Sequence, residues 1–131
     1  MATGVVTSEL ETRTVQTVTD LTDKNYFFAN LSTVTDQLVA LAADATKIPW
    51  ILQDAPLGTA SVPASASIAV NGVTKLKLGA SAVAVGDRLT ADSDGKGVPT
   101  TTSTNKYGAI AMENGAAGDI IAVRVAQGLI P

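Results

Sequence analysis

What most constrains this chain is how briefly any one pattern lasts. Apolar stretches of a few residues are cut repeatedly by Gly, Asn, Asp and Pro, so no segment sustains the repeat of a long helix. "SIAVNGVTKLKL" reads as two strands meeting at Asn71-Gly72, the dipeptide best suited to the positive φ angles of a type I′ hairpin turn. "TKLKLG" alternates strictly, with Leu76 and Leu78 on one face and Lys75 and Lys77 on the other. "DRLTAD" and "GVPTTT" form a pair of short strands. "YGAIAMENGAAGDIIAVRVAQ" is hairpin-like, with "ENGAAGD" as its turn. Upstream, "YFFANL" (26–31) and "PWILQDAP" (49–56) read as strands, the second bracketed by Pro49 and Pro56.

Two segments are less decided. In "STVTDQLVALAAD", Val34, Leu38 and Leu41 fit a helical stripe with Ser32 as N-cap. Leu38, Val39 and Leu41 fit a buried strand equally well. An internal echo favours the strand. "DQLVALAADATKIP" (36–49) resembles "DRLTADSDGKGVP" (87–99), "WILQDAPLG" answers "YGAIAMENG", and "SIAV" (67–70) answers "IIAV" (120–123). Residues 1–25 are rich in Thr, Val and charge and poor in bulk. They are expected to form a partly extended N-terminal arm, frayed when free or ordered against a partner, ahead of a β domain at 26–131. The expected fold is all-β: a small sandwich or barrel of roughly eight to ten short strands, with an internal duplication suggested by the echo.

Composition removes most chemistry. The chain has no Cys and no His, which excludes disulfides, thiolate metal sites, histidine triads and HExxH zinc sites. Nine Lys and Arg against twelve Asp and Glu give a net charge of −3, with the cations scattered through the sequence, so no nucleic-acid partner is expected. The start "MATGVVTSEL" lacks signal-peptide layout, and no apolar run is long enough for a membrane helix. A soluble protein made in the cytoplasm, with no membrane partner, is the expectation.

The densest run of Asp and Gly, "AVGDRLTADSDGKGVPTTT" (84–102), could in principle hold calcium. Asp92, Asp94 and Gly95 match the second half of an EF-hand loop. Thr90 and Thr101 stand where ligands are needed, so the stretch reads as a turn with Gly95 and Gly97 supplying positive φ. No metal or cofactor is expected. The carboxylate pairs Glu9/Glu11 and Asp20/Asp23 lie in polar contexts with nothing to raise a pKa, and Glu113 lies in a turn. No catalytic residue is assigned, and the chain is not expected to be an enzyme. The aromatic residues Tyr26, Phe27, Phe28 and Trp50 read either as core bulk or as a partner interface, where aromatics concentrate binding energy. Trp50 could also be a sugar-stacking platform, which makes a carbohydrate- or surface-binding module the alternative function.

From about Tyr26 to the end, about four fifths of its length, the chain resembles the capsid cement, or decoration, proteins of tailed bacteriophages. The resemblance rests on "LVALAADATKIPWILQDAPLG", "GVTKLKLGASAVAVGDRLTADSDGKGVP" and "YGAIAMENGAAGDIIAVRV". Within these lie a G-D-x-L-x-x-D-x-x-G-K hairpin and a closing A-G-D-x-I-x-V strand. Trp50 departs from the pattern, standing where such proteins often have Gly. The resemblance implies a structural virion protein on the outer capsid surface. There it would bridge major capsid protein subunits of the expanded head, commonly as a homotrimer, and stabilise the shell.

Overall fold

The computed structural model describes residues 10–31, 39–42, 45–59 and 61–131. They form ten strands: β1 Glu11–Thr17, β2 Phe28–Leu31, β3 Val39–Leu41, β4 Trp50–Leu52, β5 Ala64–Asn71, β6 Val73–Lys77, β7 Arg88–Ala91, β8 Gly97–Pro99, β9 Lys106–Ala111 and β10 Ile120–Leu129. The strands make two antiparallel five-stranded sheets stacked as a sandwich, in agreement with the all-β reading. Val39–Leu41 is a strand; Ser32, Val34 and Leu38 lie outside the described residues.

Each sheet is built from one half of the chain. Sheet I runs β1-β5-β4-β2-β3 and sheet II runs β6-β10-β9-β7-β8, so adding five to each strand of the first order yields the second. The turns leading into β2 and β7 match as well. Phe27 N donates to Lys24 O, and Asp87 N donates to Ala84 O. Tyr26 N and Gly86 N donate to Leu52 O and Ala111 O, which end β4 and β9. Both turn residues have positive φ, 69° at Tyr26 and 90° at Gly86. A tyrosine therefore occupies a left-handed position that the second half gives to glycine. The echo seen in the sequence pairs β4 with β9 and β5 with β10 as the topology does. Its third element, 36–49 against 87–99, sets β3 against β7, whereas the sheets set β2 against β7 and β3 against β8. Local turn composition misled it there.

Asn71-Gly72 does not close a hairpin. β5 pairs with β1 and β4 in sheet I, while β6 pairs with β10 in sheet II, so the dipeptide is a corner at which the chain changes sheets. A type I′ turn needs two residues at positive φ, and only Gly72 has one, at 102°. Its carbonyl accepts Val125 N at 2.9 Å, joining the corner to β10. "YFFANL" likewise begins its strand only at Phe28, because the turn at Tyr26 precedes it.

One apolar cluster spans the two sheets. Phe28, Ile51 and Ala69 from sheet I meet Leu76, Leu89, Ala109, Val123 and their neighbours from sheet II. A second cluster of Val15, Leu21, Ala29, Leu52, Ala66 and Ile68 lies on the other face of sheet I. That face is enclosed because the sheet curls until its edge strands β1 and β3 approach within 8 Å between Cα atoms. Sheet II curls too, and Leu78 beyond β6 bridges Gly97 of β8. Gly97 has no positive φ, contrary to the turn role read from the sequence. Its requirement is space, since a Cβ there would lie 2.5 Å from Leu76 Cδ2. β1 pairs with β5 over all seven of its residues, and Val15 and Leu21 are buried. Residues 1–9 of the N-terminal segment lie outside the described residues.

Thr74, buried in β6, donates to Gln53 Oε1 at 2.8 Å and ties the second sheet to the loop after β4. Thr74→Val keeps the shape but leaves that amide oxygen unpaired. A cost of about 1–2 kcal/mol in denaturant unfolding is expected; an unchanged midpoint would show that the bond contributes nothing.

Candidate functional site

The 84–102 stretch is a turn with a structural task. Asp92 Oδ1 accepts both Asp94 N (2.8 Å) and Lys96 N (2.9 Å), Asp92 N donates to Lys96 O, and Gly95 takes φ 84°. Gly95 O then accepts Phe28 N at 2.7 Å, so the turn docks sheet II onto sheet I. One Asp92 oxygen is thus committed to backbone amides, and the other lies against Gly79. Among the described residues no group of three or more Asp or Glu side chains is placed to hold a metal ion. Asp92→Ala should cost about 1–2 kcal/mol. A urea titration checks this, and a midpoint matching the parent protein would contradict the capping role.

The carboxylates considered for acid–base work are placed for other tasks. Asp20 is fully exposed, and its hydrogen bonds from the Thr22 hydroxyl and backbone N–H hold its carboxyl below the ordinary range. That is the wrong direction for a proton donor near neutrality. Glu113 accepts Ala122 N at 2.8 Å across the β9–β10 connection. Glu9 lies outside the described residues. A shallow cleft of about 410 Å³ opens beside Asp87, Arg88, Thr100, Thr101, Ile130 and Pro131. Its one side-chain carboxylate, Asp87, accepts Ala84 N of its own turn. None of these arrangements sets a nucleophile against a base.

The four aromatic candidates are dispersed. Phe28 is wholly buried in the cluster between the sheets, and Phe27 is 7% exposed with Lys24 Nζ 5.1 Å from its ring centre. Trp50, half-buried, packs with Leu31, Leu41 and Val70 against the second cluster. A sugar platform needs an open ring with polar partners; these neighbours are aliphatic. Tyr26 is half-buried, and its carbonyl accepts Lys77 N at 2.9 Å, which places it against the end of β6.

Sequence reasoning missed a feature that the register creates. Directly paired residues share a face, so Arg88 (β7), Ile110 (β9), Arg124 (β10) and Val73 (β6) form one row across the outside of sheet II. Ala122–Lys75 and Ile120–Lys77 form the next rows, and Met112, whose N–H donates to Ala122 O, adjoins them. Ile120 is 51% and Met112 49% exposed. Four of the chain's nine cations therefore surround one apolar strip, although in sequence they are spread over 75–124.

The described residues thus form a two-sheet β body whose outer face carries an apolar, cationic strip. Comparison with known families gives the particular class. A family model described as phage cement protein matches residues 27–127, and the chain belongs to that family, a class of structural virion proteins associated with the capsid. Among solved structures, the head fiber gp8.5 N base of bacteriophage phi29 superposes with a TM-score of 0.68 at 18% identity. The match covers 90% of this chain and 95% of that one, and it shows a shared fold. No curated protein matches the chain.

Proposed function

We propose that this protein binds the outer surface of the expanded phage head, bridges neighbouring major capsid protein subunits and stabilises the shell without catalysing a reaction. The family match over 27–127 carries this reading. The fold neighbour, named as a head fiber base, fits the same setting at a phage head. The physics is linkage: a protein that binds the expanded lattice and not its ruptured state lowers the free energy of the intact head. Assembly as a homotrimer would let modest contacts act together through effective concentration.

The form of the sheets bears on how contact is made. Adding a strand to a neighbour requires an open edge. Here β1 lies near β3, and β8 is bridged by Leu78, so docking through a face is the better-supported mode. An arm from residues 1–25 would have to act through the stretch preceding β1.

Heads prepared with and without this protein provide the test. Decorated heads should release DNA at a higher temperature, and adding purified protein back to bare heads should restore the difference. Equal release temperatures, with the protein absent from sedimented heads, would refute the reading.

A further inference from the structure

We infer that the outer face of sheet II, centred on Arg88, Ile110 and Arg124, docks a carboxylate-bearing, centrally apolar patch of the protein lattice that this chain decorates. This inference rests on the function proposed above and names the surface and the partner's chemistry. Arg88 and Arg124 flank Ile110 as its direct cross-strand neighbours, which places two guanidinium groups on either side of an aliphatic side chain. Both arginines are exposed. Arg88 is also steadied by the Tyr107 ring, 5.3 Å from its guanidinium carbon, so less freedom is lost when it engages a partner.

Among the described residues, neither Arg88 nor Arg124 has a carboxylate partner, whereas Lys77 Nζ donates to Gly118 O at 2.6 Å. The nearby carboxylates are held by backbone amides: Asp87 accepts Ala84 N and Asp119 accepts Ala116 N within their own turns, and Glu113 accepts Ala122 N of β10. Two unpaired guanidinium groups flanking Ile110, with exposed Met112 and Ile120 further along the same face, are complementary to an acidic surface with an apolar centre. Planar bidentate pairing makes arginine the suited residue for carboxylates, and arginine is among the residues enriched at energetic interface centres. Continuous rows of base or phosphate contacts would call for a wider basic surface than this single strip.

The test uses heads of the virus that encodes this chain, assembled without it, and measures binding of purified full-length variants by co-sedimentation. Arg124→Glu is expected to weaken binding on the order of 30-fold or more, with Arg88→Glu similar. Arg13→Glu, on exposed β1 of the other sheet, should leave binding unchanged. Arg124→Gln, read against a melting curve matching the parent, covers the case in which charge reversal disturbs folding. Wild-type binding should also fall as salt is raised. If wild type fails to bind heads at all, the functional reading fails. If wild type binds and both Arg124 variants bind equally well, this inference alone is overturned. It is overturned too if the Arg124 variants lose self-association but keep head binding, or if wild type binds duplex DNA with the same arginine dependence.

Discussion

Phe28→Ala is expected to lower the unfolding free energy by about 3–5 kcal/mol, a large share of the roughly 5–15 kcal/mol typical of a domain this size. Phe28 is completely buried and is the largest side chain in the cluster between the sheets. The backbone on either side of it is equally committed: its N–H donates to Gly95 O, and its carbonyl accepts Ala42 N at 3.0 Å. Removing the ring leaves a cavity where both halves of the chain converge, and two hydrogen-bonded contacts hold the walls apart. A denaturant titration of the purified protein reads the effect. A loss below about 1 kcal/mol would mean that the cavity collapses freely and that Phe28 is not the anchor between the sheets. Any weakening of partner binding in this variant should track the unfolded fraction.

Gly108→Val should be nearly as costly, about 3 kcal/mol, for the opposite reason. Gly108 lies in β9, where a Cβ would run into the backbone carbonyl oxygen of Pro49 and stand 3.1 Å from Phe28 Cε1. A side chain can turn aside, but a main-chain carbonyl can retreat only by carrying the start of β4 with it. The substitution thus pushes the two halves apart along their shared core. Gly86 offers the comparison: a Cβ there meets nothing within 4 Å, and only its φ of 90° resists substitution. Gly86→Ala should therefore be much milder than Gly108→Val. Thermal unfolding of the two variants side by side separates them, and equal melting temperatures would remove the close-approach explanation.

The two glycines show why part of this molecule is legible from sequence and part is not. Turn chemistry is local. Asp92 to Lys96 was readable because an Asp that accepts amides two and four residues on, and Gly95 at positive φ, act within one loop, whereas Gly97 was not. Gly108 carries no local mark, because the atoms that forbid a side chain there belong to Pro49 and Phe28. The candidate surface is a similar case. Tyr26 could be singled out as an aromatic, yet its position beside Lys77 follows from a turn whose left-handed geometry glycine would ordinarily supply. Arg88 and Arg124 looked scattered because their common neighbour, Ile110, is brought between them only by strand register.

The sequence by itself determined the strands from β4 onward and which side chains turn inward, as in Leu76 and Leu78 against Lys75 and Lys77. A strand's alternation is a property of consecutive residues and needs no partner to be defined. Only the tertiary structure decided who pairs with whom: that Asn71-Gly72 turns a corner between sheets, that each half repeats the other's strand order, and that four cations gather on one face. Pairing is chosen by the fit of whole faces across distant parts of the chain, and that fit exists only once both halves are folded against each other.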